Sequence, residues 1–470
     1  GKTNTIGSWL TLSYDLDNYF TFSLNGRFDA SNKFGSRSNE RLLPLWSTAV
    51  RLNLKDIFAR KVRKINELTF RASFGKTGNM LDGETPNLLL RQGTFDAFYG
   101  ENTSTVHKLP NPHLKWEVAT NTNFGLSLSA FENRLNVNTE VWTKYVTDAF
   151  AAINVSTING VNSYQMNNGD ISNYGYSLTL SGYPIKTKDW KLYLSTMYSW
   201  VSNKVQTKTS DIFQYTDYLN GTAIIDGKPI GTFYSYEFLG LNPHDGSPVF
   251  DDYADKMHLL RDKGIAELIP MVMTESGNRE PKFHGSFYTT LTWKQLSLNM
   301  NFNYSVGSKI RLFPLYKPII SGISSDKNVR KELLDRWREP GDEKRTVIPS
   351  LISKEDPNYT NYNEHWSKYG HLIGGIRQFA SSLWDMYDQS DIRVVPGDYL
   401  RLSSLTLSYN LTPKQLKKTP FQSLRLSLNT TNVFTIASKK LVGQDPSQAN
   451  NQKAVLSLRP SYTLGLNVSF

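Results

Sequence analysis

Three groups of residues in this chain have side chains suited to chemistry. Asp251 and Asp252 form one carboxylate pair, and Glu339, Asp342 and Glu343 form a second set, the residue types that general acid–base work requires. Both sit in Gly/Pro-rich stretches, where carboxylates adjacent in sequence read as solvated turn residues. The loop Asn242–Asp252, NPHDGSPVFDD, is as oxygen-rich as a calcium loop. It lacks the regular ligand spacing and the closing Glu, so it reads as a plain turn. The aromatics Tyr215, Tyr218, Tyr234 and Tyr236 offer flat faces that could stack on sugar rings or peptide side chains, although loop-on-loop packing would use the same rings.

What is absent narrows the chemistry further. The seven His are scattered without paired ligand spacing, and Cys is absent, which excludes a disulfide framework, a thiolate metal site and a cysteine nucleophile. No Gly-rich phosphate loop is present, and the basic residues do not interleave with aromatics as a single-strand nucleic-acid groove would. The sequence therefore reads as a non-enzyme with no cofactor, no metal and no nucleic-acid partner.

The elements that would hold such residues are strands. Of 470 residues only 39% are hydrophobic, and mean hydropathy is -0.44. No apolar run reaches the roughly 18 residues of a spanning helix. Yet 25 Tyr, 24 Phe and 10 Trp bring aromatics to 13%. A polar average with an aromatic excess suits a membrane β-barrel, whose strands are apolar on one face and whose rims carry aromatic girdles. The net charge of +11 is dispersed; it fits solvated loops, and an anionic partner such as a lipopolysaccharide surface. Gly1 is not an initiator Met, so the expectation is a processed or partial chain.

Alternation carries the strand assignment. In the final stretch Tyr462, Leu464, Leu466, Val468 and Phe470 share one face and small polar residues share the other, as a barrel-closing strand would. The pattern recurs at Leu10–Leu16 with Phe20–Phe28 across Asp15-Leu16-Asp17-Asn18, and at Trp46–Leu54 with Leu68–Phe74 across KDIFARKVRKINE, a short helical turn. It continues at Trp116–Leu128 with Leu135–Tyr145, Tyr176–Leu180 with Leu192–Tyr198, Phe287–Trp293 with Leu296–Tyr304 across Lys294-Gln295, and Leu405–Leu411 with Leu424–Thr430. About fourteen strands result, many of the roughly ten residues that cross a bilayer at a tilt. Leu400 and Leu402 are out of phase with Leu405 and Leu407, so a bulge is expected near Ser403 or Ser404.

Connections divide into short turns and long loops. Arg27–Leu45 reads as a loop, and the longest loops run approximately 203–231, 242–281 and 305–396. Such lengths point to function or a lid, and the asymmetry is that of an outer-membrane barrel with extracellular loops. Within the last, NVRKELLDRWREPGDEKR reads as a short helix that stops before Pro340-Gly341.

Several segments together carry a family resemblance: GRFDASNKFG (26–35), LPNPHLKWE (109–117), NNGDISNYGYSLTL (167–180), GKPIGTFYSYEFLGLNPHDGSPVF (227–250), LLDRWREPGDE (333–343), GDYLRLSSLTLSYNL (397–411), TTNVFTIASKKLVGQDPS (430–447) and the closing SYTLGLNVSF. The chain resembles the carboxy-terminal half of SusC/RagA-type TonB-dependent outer-membrane transporters of Bacteroidetes. That resemblance implies an all-β fold, an antiparallel transmembrane β-barrel of 22 strands of which residues 1–470 form the carboxy-terminal part, with the plug and first strands outside this sequence. It implies import of oligosaccharides or peptides, a SusD-like surface lipoprotein as lid, and energy from the TonB complex through a plug-bearing part. An open half-barrel would leave unpaired strand edges in lipid, so the rest of the wall is expected from another chain or segment. The alternative reading is a transport-inactive barrel serving as a structural subunit of a larger assembly, with other outer-membrane assembly proteins as partners.

Overall fold

A computed structural model describes residues 4–31, 42–79, 86–154, 158, 163–207, 213–261, 263–316, 328–363, 382–448 and 456–470. Its framework is one antiparallel sheet of 13 strands. In chain order these are β1 (Thr5–Leu16), β2 (Phe20–Ser31), β3 (Leu42–Asn53), β4 (Ile65–Asn79), β5 (Glu117–Ala130), β6 (Leu135–Asn154), β7 (Ser163–Lys186), β8 (Trp190–Val205), β9 (Phe283–Trp293), β10 (Leu296–Val306), β11 (Tyr399–Asn410), β12 (Ser423–Ala437) and β13 (Ser461–Ser469). Each strand pairs with its sequence neighbours, an up-and-down meander. The sheet does not close on itself: β1 and β13 are its edges.

Register follows the hydrophobic alternation. Leu12 faces Leu24, Leu298 faces Leu407, and Leu428 faces Leu464, so one face is apolar from edge to edge. The short turns use residues that tolerate positive φ. Asp17 and Asn18 adopt φ 46° and 62° between β1 and β2, and Lys294 adopts φ 53° in the two-residue turn between β9 and β10. The basic connection after β3 forms the five-residue helix Leu54–Phe58, capped by the Asn53 side chain accepting from the Asp56 N–H. The expected bulge is present. Asn301 pairs with Ser404 and Phe302 with Leu402, leaving Ser403 as the extra residue.

Four details differ from the sequence reading. The sheet has thirteen strands rather than about fourteen. Arg27–Ser31 and Leu42–Leu45 continue β2 and β3 as a paired ladder, so the loop between them is confined to 32–41, outside the described residues. Their Ser/Asn/Arg composition marks a solvated stretch rather than a turn, because strands run on past the apolar band. The loops read as 203–231 and 242–281 belong to one connection between β8 and β9, in which Thr232–Ser235 pairs with Thr274–Asn278 as a local ladder. The helix expected before Pro340 is a single 3-10 turn, Lys331–Asp335. The chain then extends, because the Trp337 N–H is drawn to the Ile348 carbonyl at 2.8 Å.

Candidate functional site: a polar wall beneath a packed loop cap

Because side chains alternate, one register sets both faces of the wall. The apolar face carries two aromatic rows. At the short-turn rim Trp190 stacks on Trp293 at 5.6 Å, and Phe421 meets Phe470 edge-on at 5.3 Å. At the opposite rim Trp46 packs edge-on against Phe74 at 5.4 Å, and Tyr198 stacks on Phe283 at 5.8 Å. Trp190 and Trp200 lie on the same face of β8, about 33 Å apart along the strand at about 3.3 Å per residue. A tilt of about 40° reduces that to about 25 Å, the height of an outer-membrane apolar band.

The other face is built from amides and hydroxyls. Asn299, Asn301 and Asn303 run along β10, continued by Thr406 on β11 and by Asn429 on β12, whose Oδ1 accepts from Thr406 at 3.0 Å. Asn123 and Ser73 bond across β5 and β4 at 3.2 Å. Arg51 and Arg71 oppose one another directly on β3 and β4, and Arg71 donates to Asn138 at 2.9 Å. They line a cleft of about 230 Å³ with Ser23 and Glu140. Such a surface offers hydrogen bonds to a polar solute without one dominant charge.

Above the wall, on the long-connection side, the loops form a body with its own core. Residues from both long connections meet there: Tyr218, Ile269, Tyr316, Trp384 and Tyr387 are each at most 1% exposed. Polar clamps lock it. The Arg393 guanidinium donates to Glu332 at 2.8 Å and to the Phe313 carbonyl at 2.8 Å. Burial alone would raise the Glu332 carboxyl, but Arg393 and then Arg330 hold it below the usual carboxylate range. Arg311, half-buried, donates to the Tyr234 carbonyl at 2.8 Å and to Ser235 Oγ at 3.0 Å; desolvation lowers its pKa to about 10, which leaves it charged at neutral pH. Asp388 accepts from the Leu315 N–H at 2.7 Å and the Tyr316 N–H at 2.9 Å. Arg401, on the inner side of β11, reaches Asp445 of the next connection at 2.7 Å and so ties cap to wall.

The tyrosines singled out in the sequence mostly serve this core. Tyr218, Tyr234 and Tyr236 are 1%, 4% and 1% exposed, and Tyr218 packs edge-on against Tyr234 at 5.9 Å. Their rings are covered by neighbouring loop residues and have no face left for a ligand; Tyr215 is half-buried against the same cluster. Nothing local in the sequence distinguishes a core tyrosine from an exposed one, since the cluster that covers these rings draws residues from 213 to 387 together. The Asn242–Asp252 turn is satisfied internally, with Asp245 accepting from the Ser247 N–H at 2.9 Å and from the Tyr362 hydroxyl. No cluster of three His, Cys, Asp or Glu with metal-binding proximity occurs among the described residues. Asp342 accepts from the Arg338 N–H at 3.0 Å and pairs with Arg345, so it acts as a turn residue. The final strand residues Tyr462, Leu464, Leu466 and Phe470 are 64–85% exposed on the free edge strand.

Comparison with known proteins decides the family. The description "TonB dependent receptor-like, beta-barrel" matches residues 1–433. The chain belongs to this family. It is an outer-membrane β-barrel protein, of a family of receptors rather than enzymes. TonB-dependent receptor P3 of Formosa agariphila is 24% identical over all of this chain and 46% of its own length. TonB-dependent receptor SusC of Bacteroides thetaiotaomicron is 25% identical over 44% of this chain and 21% of its own length. The receptor barrel also superposes on a solved structure of the RagAB peptide transporter with a TM-score of 0.78, at 21% identity, over 100% of this chain and 48% of that one. The chain thus spans about half the length of the curated relatives it matches over its full extent.

Proposed function

We propose that this receptor barrel forms part of the wall of a TonB-dependent importer of SusC/RagA type that takes up oligosaccharides or peptides. The observation that carries the reading is the two-faced wall, a polar face of amides, hydroxyls and charged side chains such as Arg51, Arg71 and Glu140, backed by an apolar face with two aromatic rows. A polar solute crossing beside Asn299, Asn301 and Asn303 exchanges water hydrogen bonds for side-chain ones, so its desolvation cost is offset.

In this reading β1 and β13 pair with further strands that complete the barrel, because open edges in hydrocarbon cost several kcal/mol per unsatisfied backbone group. The final strand, with Tyr462, Leu464, Leu466, Val468 and Phe470 toward lipid, then acts as a closing strand. A SusD-like surface lipoprotein covers the loop body, and the TonB complex supplies energy through a plug-bearing part. The description of one structural relative as a peptide transporter supports the peptide class.

The test is growth of a deletion strain on defined oligosaccharide and peptide pools. Loss of growth on one pool, restored by the intact receptor, supports import and selects the class. Unchanged growth and uptake on every pool would overturn it.

A further inference from the structure

Trp142 interrupts the polar face of the wall. It sits on β6 directly opposite Asn123 of β5, which in turn opposes and bonds Ser73 of β4, so the tryptophan shares a face with the amides and hydroxyls. On its other side Trp142 opposes Gly175 of β7, and its ring covers that glycine: a Cβ added there would fall 2.0, 2.2 and 2.4 Å from three ring atoms. Any side chain at 175 would lift the ring off the sheet. Glycine lets it rest on the wall with one face toward backbone, and the indole is half-buried. Such a cross-strand pair steadies the strand that carries the glycine. It also leaves a flat aromatic surface turned to the side on which the polar residues stand.

The register sets polar groups around that surface. Glu140 and Lys144 flank Trp142 along β6, and Asn121 and Asn173 lie diagonally from it on β5 and β7, each opposite Lys144. The amide N–H groups of Asn121, Asn123 and Asn173 are engaged with the wall, donating to Thr77 Oγ1, Ser73 Oγ and the Lys144 carbonyl at 3.2 Å each. Among the described residues nothing donates to their Oδ1 atoms or to the Glu140 carboxylate. The surroundings of the ring are therefore rich in acceptors, and the two charges beside it on β6 are of opposite sign.

A sugar ring matches this arrangement. The C–H face of a pyranose stacks on an aromatic plane, and the hydroxyls at its edge donate to acceptors placed around that plane. A peptide matches it less well, because each of its carbonyls requires a donor and the donors of the three amides are already engaged. We infer that Trp142 is a stacking platform for a neutral sugar ring on the barrel wall, with Asn121, Asn123, Asn173 and Glu140 accepting from its hydroxyls. The inference deepens the import reading and rests on it, naming a saccharide and its station on the wall. Binding to purified receptor requires no transport, so the site can fail while import stands.

The experiment uses the receptor as extracted from the outer membrane in detergent. It is titrated with neutral oligosaccharides of glucose, mannose, galactose and xylose and with a Phe-containing peptide, and oxidation of individual tryptophans by N-bromosuccinimide is followed by mass spectrometry. The expected result is that Trp142 is oxidised in the free receptor and is protected by at least one of the sugars but not by the peptide. Affinity for that sugar falls about tenfold in Trp142→Leu. Trp142→Phe, which keeps an aromatic plane over Gly175, loses less, and Trp46→Leu, on the apolar face, leaves binding unchanged. The heat-modifiable electrophoretic band checks that the variants are folded, and the protection measurement on unaltered receptor does not depend on them. If Trp142 serves only to cover Gly175, Trp142→Leu binds sugar as the unaltered receptor does, and that result overturns the platform. Resistance of Trp142 to oxidation in the free receptor, or its oxidation undiminished by every sugar, overturns it as well. Protection by the peptide alone overturns the saccharide as the ligand. Sugar binding at Trp142 without uptake would count against import and not against the site.

Discussion

Arg393 and Glu332, 61 positions apart in sequence, meet at 2.8 Å inside the loop body with side chains 4% and 6% exposed. The pair joins the 3-10 turn Lys331–Asp335 to the segment that leads into β11, so the cap is held by a buried charge pair as well as by its aromatic core. Removing one partner leaves the other charged and buried. Glu332→Ala is therefore expected to destabilise the cap by about 3–5 kcal/mol. Hydrogen exchange of Tyr316 and Leu333 amides measures it, with faster exchange in the cap and unchanged exchange in β5–β10.

The same pair gives the cap a pH dependence with a definite sign. The folded pKa of Glu332 lies below its ordinary 4.5. Its contribution is thus fully present above about pH 5 and is lost as pH falls through the folded value. Protease resistance of the loop body between pH 7 and pH 3 follows this, and Glu332→Gln removes that part of the dependence.

Gly246→Ala tests the seat of the Trp337 ring. Gly246 has φ +68°, and its added Cβ would overlap the Trp337 ring. Strain and overpacking each cost about 1–3 kcal/mol. Faster tryptic cleavage after Arg336 and Arg338 is expected, with the sheet unaffected.

Much of the wall is legible in the sequence because alternation is a local property. Leu298, Met300 and Phe302 announce their face without knowledge of any neighbour, and the phase slip between Leu402 and Leu405 gives away the bulge at Ser403. The cap is not legible in this way. Tyr236 is buried because Ser390 and the chain around it fold over it, and Glu332 finds Arg393 through contacts of long sequence separation. Composition alone made Arg27–Ser31 a loop, although its ladder partners make it strand.

Ser403 itself is a test of register. Deleting it shifts Leu400 and Leu402 to the polar face and turns Arg401 toward lipid, away from Asp445. An arginine on the lipid face costs up to about 2–4 kcal/mol at mid-bilayer. The deletion is expected to abolish the folded, heat-modifiable band on electrophoresis, whereas Ser403→Ala keeps it.

The most direct test of the wall as a transport path uses the absence of cysteine from the chain. Single cysteines replace Asn301 on the polar face and Met300 on the apolar face, and cells are treated with a bulky hydrophilic maleimide before receptor-dependent uptake is measured. Asn301→Cys is expected to be labelled and to lose uptake, while Met300→Cys stays unlabelled and keeps it. Labelling of Met300→Cys with loss of uptake, or full uptake by labelled Asn301→Cys, would contradict it.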